Sequence, residues 1–132
     1  MAWTIHPTPE ELAFVMEAGM LYRDIQRRQE ARDIFKGVRA LAPMSDVPEV
    51  ALGSVAFEEG DFETARKHYQ RALELNPRSA WAYAHLGELA IFEKNKEEAR
   101  ARLKTAVDLD PRGDYGRLAR ALLDFAEAVT YK

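Results

Sequence analysis

The sequence repeats with a period of 34 residues, and this period constrains the fold more than any other feature. Glycine, alanine and proline each recur at matching places in three consecutive segments: Gly19, Gly53 and Gly87; Ala31, Ala65 and Ala99; Pro43, Pro77 and Pro111. The predicted repeat boundaries are 12–45, 46–79 and 80–113. A period of this length is typical of a solenoid, in which each repeat buries its remaining apolar face against the next.

Local signals divide each repeat into two helices. A glycine inside a helix costs about 1 kcal/mol relative to alanine, so its regular return predicts close approach of a second helix. Thr8, Pro9 and Glu11 form a capping sequence that predicts a helix start near Pro9. Later predicted caps are Asp61, Ser79 and Asn95. The three prolines end the second helices, which gives six helices, and residues 114–131 form a predicted seventh that caps the last repeat.

This pattern resembles the tetratricopeptide repeat, a 34-residue helix–turn–helix with small or apolar residues at these offsets and a closing proline. Repeats two and three fit best, since Leu73–Pro77 and Val107–Pro111 are near copies of one helix ending. Repeat one has Gln26–Arg28 where repeat two has the turn Gly60–Phe62. The resemblance implies an all-α fold, a right-handed superhelix of three helical hairpins plus a C-terminal capping helix, in one domain over 1–132.

Composition and charge exclude several classes of protein. The 132 residues are 47% apolar and 31% charged, which suits one helical domain with a real core. A formal charge of −3 leaves no basic footprint for nucleic acid or an anionic membrane. With no cysteine there is no disulfide or thiolate chemistry. The N-terminus lacks the pattern of a signal peptide, and no long uncharged apolar run occurs, so we predict a cytoplasmic protein without membrane insertion.

The sequence lacks the motifs of common catalytic sites. His6, His68 and His85 are too far apart in sequence for a helical zinc motif, and no phosphate loop or nucleophile elbow occurs. The paired carboxylates Glu58–Glu59 and Glu97–Glu98 and the basic residues Arg100, Arg102 and Lys104 are predicted as solvated helix surface. We therefore expect no enzyme activity, no metal site and no cofactor.

In the superhelix that the resemblance implies, the first helix of each hairpin lines an inner groove. The predicted groove residues are Ala13, Met16, Met20, Arg23, Val47, Val50, Ser54, Phe57, Trp81, Ala84, Glu88 and Ile91, with His85 beside them. Most are apolar, and adaptable methionines and large aromatics suit the docking of a helical or extended segment. Two alternatives stay open: Trp81 and Phe57 pack between neighbouring first helices, or Trp3–Ile5 folds back over the groove.

The residue types at five groove positions distinguish one subfamily of tetratricopeptide repeat proteins. Repeat proteins that clamp the C-terminal carboxylate of heat-shock chaperones use Lys, Asn and Arg at five positions of the groove. Those positions here hold Met16, Met20, Ala51, Trp81 and His85. Because these side chains lack the charge-assisted bonds that hold a carboxylate, we predict against a heat-shock co-chaperone.

In size and groove character the chain is similar to the bacterial tetratricopeptide chaperones of type III secretion. The predicted function is therefore a non-enzymatic module that binds a protein or peptide partner, as such a chaperone. The alternative is a scaffold or assembly factor that joins folded proteins. Leu123 and Phe125 widen the apolar face of the seventh helix, so a homodimer contact there is a further hypothesis.

Overall fold

The computed structural model describes residues 6–129, and these form seven α-helices and no strand. The helices are α1 (Pro9–Asp24), α2 (Arg28–Leu41), α3 (Val47–Glu58), α4 (Phe62–Leu75), α5 (Ala80–Phe92), α6 (Lys96–Leu109) and α7 (Asp114–Ala128). They pack as the hairpins α1–α2, α3–α4 and α5–α6, with α7 against α5 and α6. The predicted all-α solenoid of three hairpins and a C-terminal helix is confirmed. The repeat boundaries stay a prediction, because helix ends do not define where a repeat begins.

Four of the seven helices begin at a capping residue that the sequence predicts. Thr8 Oγ1 accepts a hydrogen bond from the Glu11 N–H at 3.1 Å, and the Glu11 carboxylate accepts one from the Thr8 N–H at 3.3 Å. The predicted caps Asp61, Ser79 and Asn95 all accept backbone hydrogen bonds. Helix α7 ends at Ala128, before the predicted end at 131, because the Val129 backbone is extended; residues 130 and 131 lie outside the described part of the chain.

Each hairpin is closed by a glycine of its first helix beneath a large side chain of its second. The three pairs are Gly19–Phe35, Gly53–Tyr69 and Gly87–Leu103. A Cβ atom at Gly53, for example, would overlap the Tyr69 ring. The alanines at 31, 65 and 99 have no exposed surface, as close helix crossing requires. The glycine period therefore comes from packing a bulky side chain directly on helix backbone.

A ladder of ion pairs with the same period joins consecutive repeats. Its rungs are Arg32–Glu59, Arg66–Glu93 and Arg100–Glu127. Glu59 and Arg100 are exposed, as the sequence predicts, and each also forms an ion pair with the neighbouring unit. Hydrogen bonds from Arg100 lower the pKa of Glu127. Because every rung is partly exposed, solvent screens its charges, so the ladder adds little to stability.

Helix α7 is positioned by the loop before it. Its N-cap is Gly113, which has no side chain to accept a hydrogen bond. The Asp110 carboxylate caps the helix instead. It accepts hydrogen bonds from the Tyr115 N–H at 3.1 Å and the Gly116 N–H at 3.4 Å. The approach is so close that a Cβ atom at Gly116 would overlap the Asp110 carbonyl oxygen. Glycine at this position therefore sets how α7 sits on the third repeat.

Replacing Gly116 by alanine is expected to lower the free energy of unfolding by about 1–3 kcal/mol, because backbone rather than a flexible side chain must move. The matched control is Gly37→Ala in the exposed part of α2, where nothing lies within 4 Å of the added methyl group. That control is expected to raise stability by about 0.5–1 kcal/mol. Urea denaturation of both variants measures the difference. An unchanged midpoint for Gly116→Ala would contradict the placement of α7.

Candidate partner-binding groove

The first helices of the three hairpins lie side by side, since α1 contacts α3 and α3 contacts α5, and α7 continues the row beyond α5. The predicted groove residues all belong to these first helices. Those that keep partly exposed surface there are Ala13, Met20, Arg23, Val47, Phe57, Trp81, His85 and Glu88. Together they form the accessible wall of the groove.

Five predicted contact residues are buried instead. Val50 and Ala84 have no exposed surface, and Met16, Ser54 and Ile91 keep 8%, 4% and 7% of theirs. A side chain without exposed surface cannot touch a partner, so the prediction of direct contact by Val50 and Ala84 is corrected. Neighbouring first helices meet over these positions, and sequence spacing does not show how far apart the helices stand. The five residues form the floor of the groove.

Two cavities open along one rim of the groove and share Val47. The first has a volume of about 420 Å³ and is mainly apolar, with Leu12, Met16 and Val38 in its lining. The second, of about 400 Å³, is lined by Trp81 and Tyr115 and also by polar groups. Both volumes lie in the range of roughly 300–1,000 Å³ that is usual for ligand pockets. The rim therefore offers two adjacent places for side chains of a bound segment.

Helix α7 supplies a row of groove residues that the sequence prediction missed. Its positions 34 residues after the third-repeat groove residues are Tyr115, Leu118, Leu122 and Phe125. Tyr115 and Leu118 are each 38% exposed and Phe125 is 55% exposed. The Tyr115 ring stacks on Trp81, with centroids 5.7 Å apart and planes 16° apart. Extending the period past residue 113 would have found this row, but the sequence prediction treated α7 as a cap with a possible dimer contact and not as part of the groove.

Aromatic rings also gather at the opposite ends of the first helices. Phe57 lies 5.4 Å from Phe62 and 5.1 Å from Phe92, measured between ring centroids. Phe92 is 58% exposed. Phe57 and Trp81 thus pack between helices, as one alternative proposes, and both keep accessible surface as well. The other alternative, a cover formed by Trp3–Ile5, lies outside the described residues.

The centre of the groove is polar. The Arg23 guanidinium donates a 2.8 Å hydrogen bond to Ser54 Oγ, which itself donates to the Ala51 carbonyl at 2.7 Å. His85 Nδ1 lies 3.3 Å from the Glu88 carboxylate. The Arg23 guanidinium also pairs with Asp24 at 3.2 Å, whereas its Nε is buried without a hydrogen-bond partner among the described residues.

Beneath this centre, the ring of Tyr69 stacks on His85 with centroids 5.4 Å apart. The Tyr69 hydroxyl is buried and has no hydrogen-bond partner among residues 6–129. Burial, with a smaller contribution from the Glu88 charge, raises the pKa of Tyr69. The hydroxyl is therefore neutral and contributes no charge to the groove.

Within residues 6–129 no three His, Asp or Glu side chains are grouped to hold a metal ion. His68 lies 2.8 Å from the buried Glu49 and His85 is beside Glu88, so each of these histidines is paired with a carboxylate. None of the seven helices is long and apolar enough to cross a membrane. The described surface is suited to non-covalent recognition by apolar and aromatic groups around a polar centre.

A comparison with protein families matches residues 56–123 to the tetratricopeptide repeat. A comparison with curated proteins finds no significant match. Among solved structures, the chain is similar to the first tetratricopeptide repeat domain of Spaghetti (RPAP3), bound to the HSP90 peptide SRMEEVD. The identity is 22%, the alignment covers 95% of this chain and 97% of that one, and the TM-score is 0.73.

Two bacterial proteins that were solved with a bound partner segment are also similar. SycD of Yersinia enterocolitica, in complex with a peptide of the translocator YopD, is 14% identical, with 92% of this chain and 95% of that chain covered and a TM-score of 0.72. PcrH of Pseudomonas aeruginosa, in complex with the chaperone binding region of PopD, is 16% identical, with 96% and 98% covered and a TM-score of 0.73.

At these identities, the solved structures show a shared fold and leave the partner open. The family match covers just over half of the chain and falls on the second and third repeats and most of α7. The hairpins with their glycine closures supply the same repeat in the first segment. The chain therefore belongs to the tetratricopeptide repeat family.

Proposed function

We propose that this chain is a non-enzymatic interaction module whose groove holds a segment of a partner protein, as a chaperone of the type III secretion kind. The observation that carries the proposal is the pair of cavities that share Val47 and continue into the stacked rings of Trp81 and Tyr115. Cavities of this size lined by apolar and aromatic side chains with a few polar groups are characteristic of a binding site. A cytoplasmic location stays a prediction from the sequence.

The structure changes which residues would contact the partner. We assign the wall contacts to Met20, Val47, Phe57 and Trp81, and add Tyr115, Leu118, Leu122 and Phe125 from α7. Met16, Val50, Ala84 and Ile91 support them from the floor. Apolar side chains of the partner would occupy the two cavities, and Arg23 and Glu88 would pair with its polar groups. The proposed contact surface thus consists of the groove wall and the α7 row.

The similar structures support a peptide ligand but differ in its kind. SycD and PcrH bind translocator segments, whereas the Spaghetti domain binds SRMEEVD, a peptide that ends in a carboxylate. At the five positions of the carboxylate clamp this chain has Met16, Met20, Ala51, Trp81 and His85. Of these, Met16 is buried and His85 is already beside Glu88. The groove therefore favours a translocator-like segment over the heat-shock peptide.

Titration of peptides against a Trp3→Phe variant tests the proposal, because Trp81 is then the only tryptophan. The YopD peptide, the chaperone binding region of PopD and SRMEEVD are the probes. We expect at least one translocator segment to shift Trp81 emission with micromolar affinity and SRMEEVD to give no response. Binding of SRMEEVD alone would refute the proposal. No response to either translocator segment would remove the chaperone function and leave the scaffold alternative.

A further inference from the structure

Helix α1 exposes an apolar face that its counterparts in later repeats bury. At the third repeat position Phe14 is 72% exposed, whereas Ala82 has no exposed surface. At the tenth position Leu21 is 65% exposed, whereas Leu89 has none. On this side α3 is covered by α2 and α5 by α4, and within residues 6–129 no helix precedes α1.

One stripe of mostly exposed apolar residues runs along α1 to its C-cap residue, and we call it the α1 outer face. It consists of Phe14, Ala18, Leu21 and Ile25, whose spacing of four, three and four residues is that of the seam by which helices pair. A cavity of about 300 Å³ opens on it between Ala18, Leu21, Tyr22 and Ile25. The terminal unit of a solenoid ordinarily carries a polar outer face, so this stripe has the form of a docking surface for a helix.

Acidic residues run along one edge of the α1 outer face. Glu10, Glu17 and Asp24 recur every seven residues beside the stripe, and all three are exposed. Among the described residues, neither Glu10 nor Glu17 forms an ion pair. The arginine of this helix, Arg23, is bonded to Ser54 and also pairs with Asp24 at 3.2 Å, so the unpaired negative charge of this edge lies on Glu10 and Glu17. The face therefore presents apolar and negative groups together.

The charges around the α1 outer face argue against another repeat, or a second copy of the chain, as the element that covers it. In the later repeats the fourteenth position is Glu59 or Glu93, which pairs with an arginine of the repeat before it. In α1 that position is Ile25, which is 63% exposed, so another repeat of this kind would find no glutamate for its arginine. A second copy docked through α1 would bring a second acidic row to the contact.

We propose that the α1 outer face binds an amphipathic helix of a partner protein, with an apolar stripe that fits Phe14, Leu21 and Ile25 and with lysine or arginine along its edge. Apolar contact and charge complementarity then act together. This surface is separate from the groove. It gives the chain two docking surfaces, so that one molecule holds two proteins at once.

Two synthetic helical peptides of about 18 residues test the proposal. Both have leucine at the a and d positions; one has lysine at e and g, and its twin has glutamate there. For the full chain in low salt, we expect the lysine peptide to bind at least about tenfold more tightly than its twin, with the difference shrinking as salt rises. Leu21→Lys should weaken the lysine peptide at least about tenfold. The matched control Met44→Lys, at an apolar residue that is 77% exposed elsewhere, should leave it unchanged.

Three further measurements can contradict the proposal. Trp81→Ala must leave lysine-peptide binding unchanged, since a loss would place the peptide in the groove. Equal binding of the two peptides, or binding of neither, would overturn the proposal. Sedimentation showing a dimer that Leu21→Lys dissociates would assign the face to a second copy. Tighter peptide binding after deletion of residues 1–5 would assign the α1 outer face to the N-terminal segment of the chain. The dimer result and the deletion result would each overturn the proposal.

Discussion

Tyr69→Ala is expected to lower the free energy of unfolding by about 3–5 kcal/mol, the loss typical of truncating a buried aromatic side chain. Tyr69 has no exposed surface and its ring covers the backbone at Gly53. It also packs with Val50, Leu86 and Leu89 in the core between the second and third repeats. Removing the ring therefore leaves a cavity where two repeats meet, which urea denaturation measures directly.

A conservative variant separates the ring from its hydroxyl. The hydroxyl is buried without a hydrogen-bond partner among the described residues, and the matching positions of the other repeats are the apolar Phe35 and Leu103. Tyr69→Phe is therefore expected to raise stability by about 1 kcal/mol. A second control combines Tyr69→Ala with Gly53→Ala, since a methyl group at Gly53 should cost little once the ring is gone. Strong destabilisation by Tyr69→Phe would show that the hydroxyl has a partner after all.

Trp81→Ala is expected to weaken binding of a groove peptide at least about tenfold, because aromatic anchors in an interface commonly contribute 2 kcal/mol or more. Trp81 lines the second cavity and stacks on Tyr115. Met20→Glu should have an effect of similar size, because it places a charge beside the apolar wall without removing a buried side chain. Calorimetric titration of the translocator segment that binds wild-type protein measures both variants.

The matched control for Met20→Glu is Lys104→Glu on α6, an exposed position away from the groove. It should leave affinity within about twofold of wild type, as rim and outer-face charges usually do. A thermal melt of each variant shows whether the fold is intact. Normal binding by Trp81→Ala and Met20→Glu, with loss in Lys104→Glu, would place the ligand on the outer side and contradict the proposed function.

The fold was predictable because its signals are local and repeated. The capping box of Thr8 and Glu11, and the caps Asp61, Ser79 and Asn95, act within one helical turn and are legible in sequence. The glycine period predicts close helix pairing, and the structure shows which large side chain closes each pair. The α7 row of groove residues obeys the same period, so it too was accessible to sequence reasoning.

By itself, the sequence determined the period and the seven helices, and it predicted candidate positions for the groove. Only the tertiary structure decided which of those positions a partner reaches. Met20 and Val50 both occupy predicted groove positions, yet Met20 is partly exposed and Val50 has no exposed surface. Phe14 and Ala82 share the third repeat position, and only Phe14 is open. The physical reason is that exposure depends on how closely neighbouring helices approach and on which helix precedes, and both are properties of the assembled solenoid rather than of any local segment.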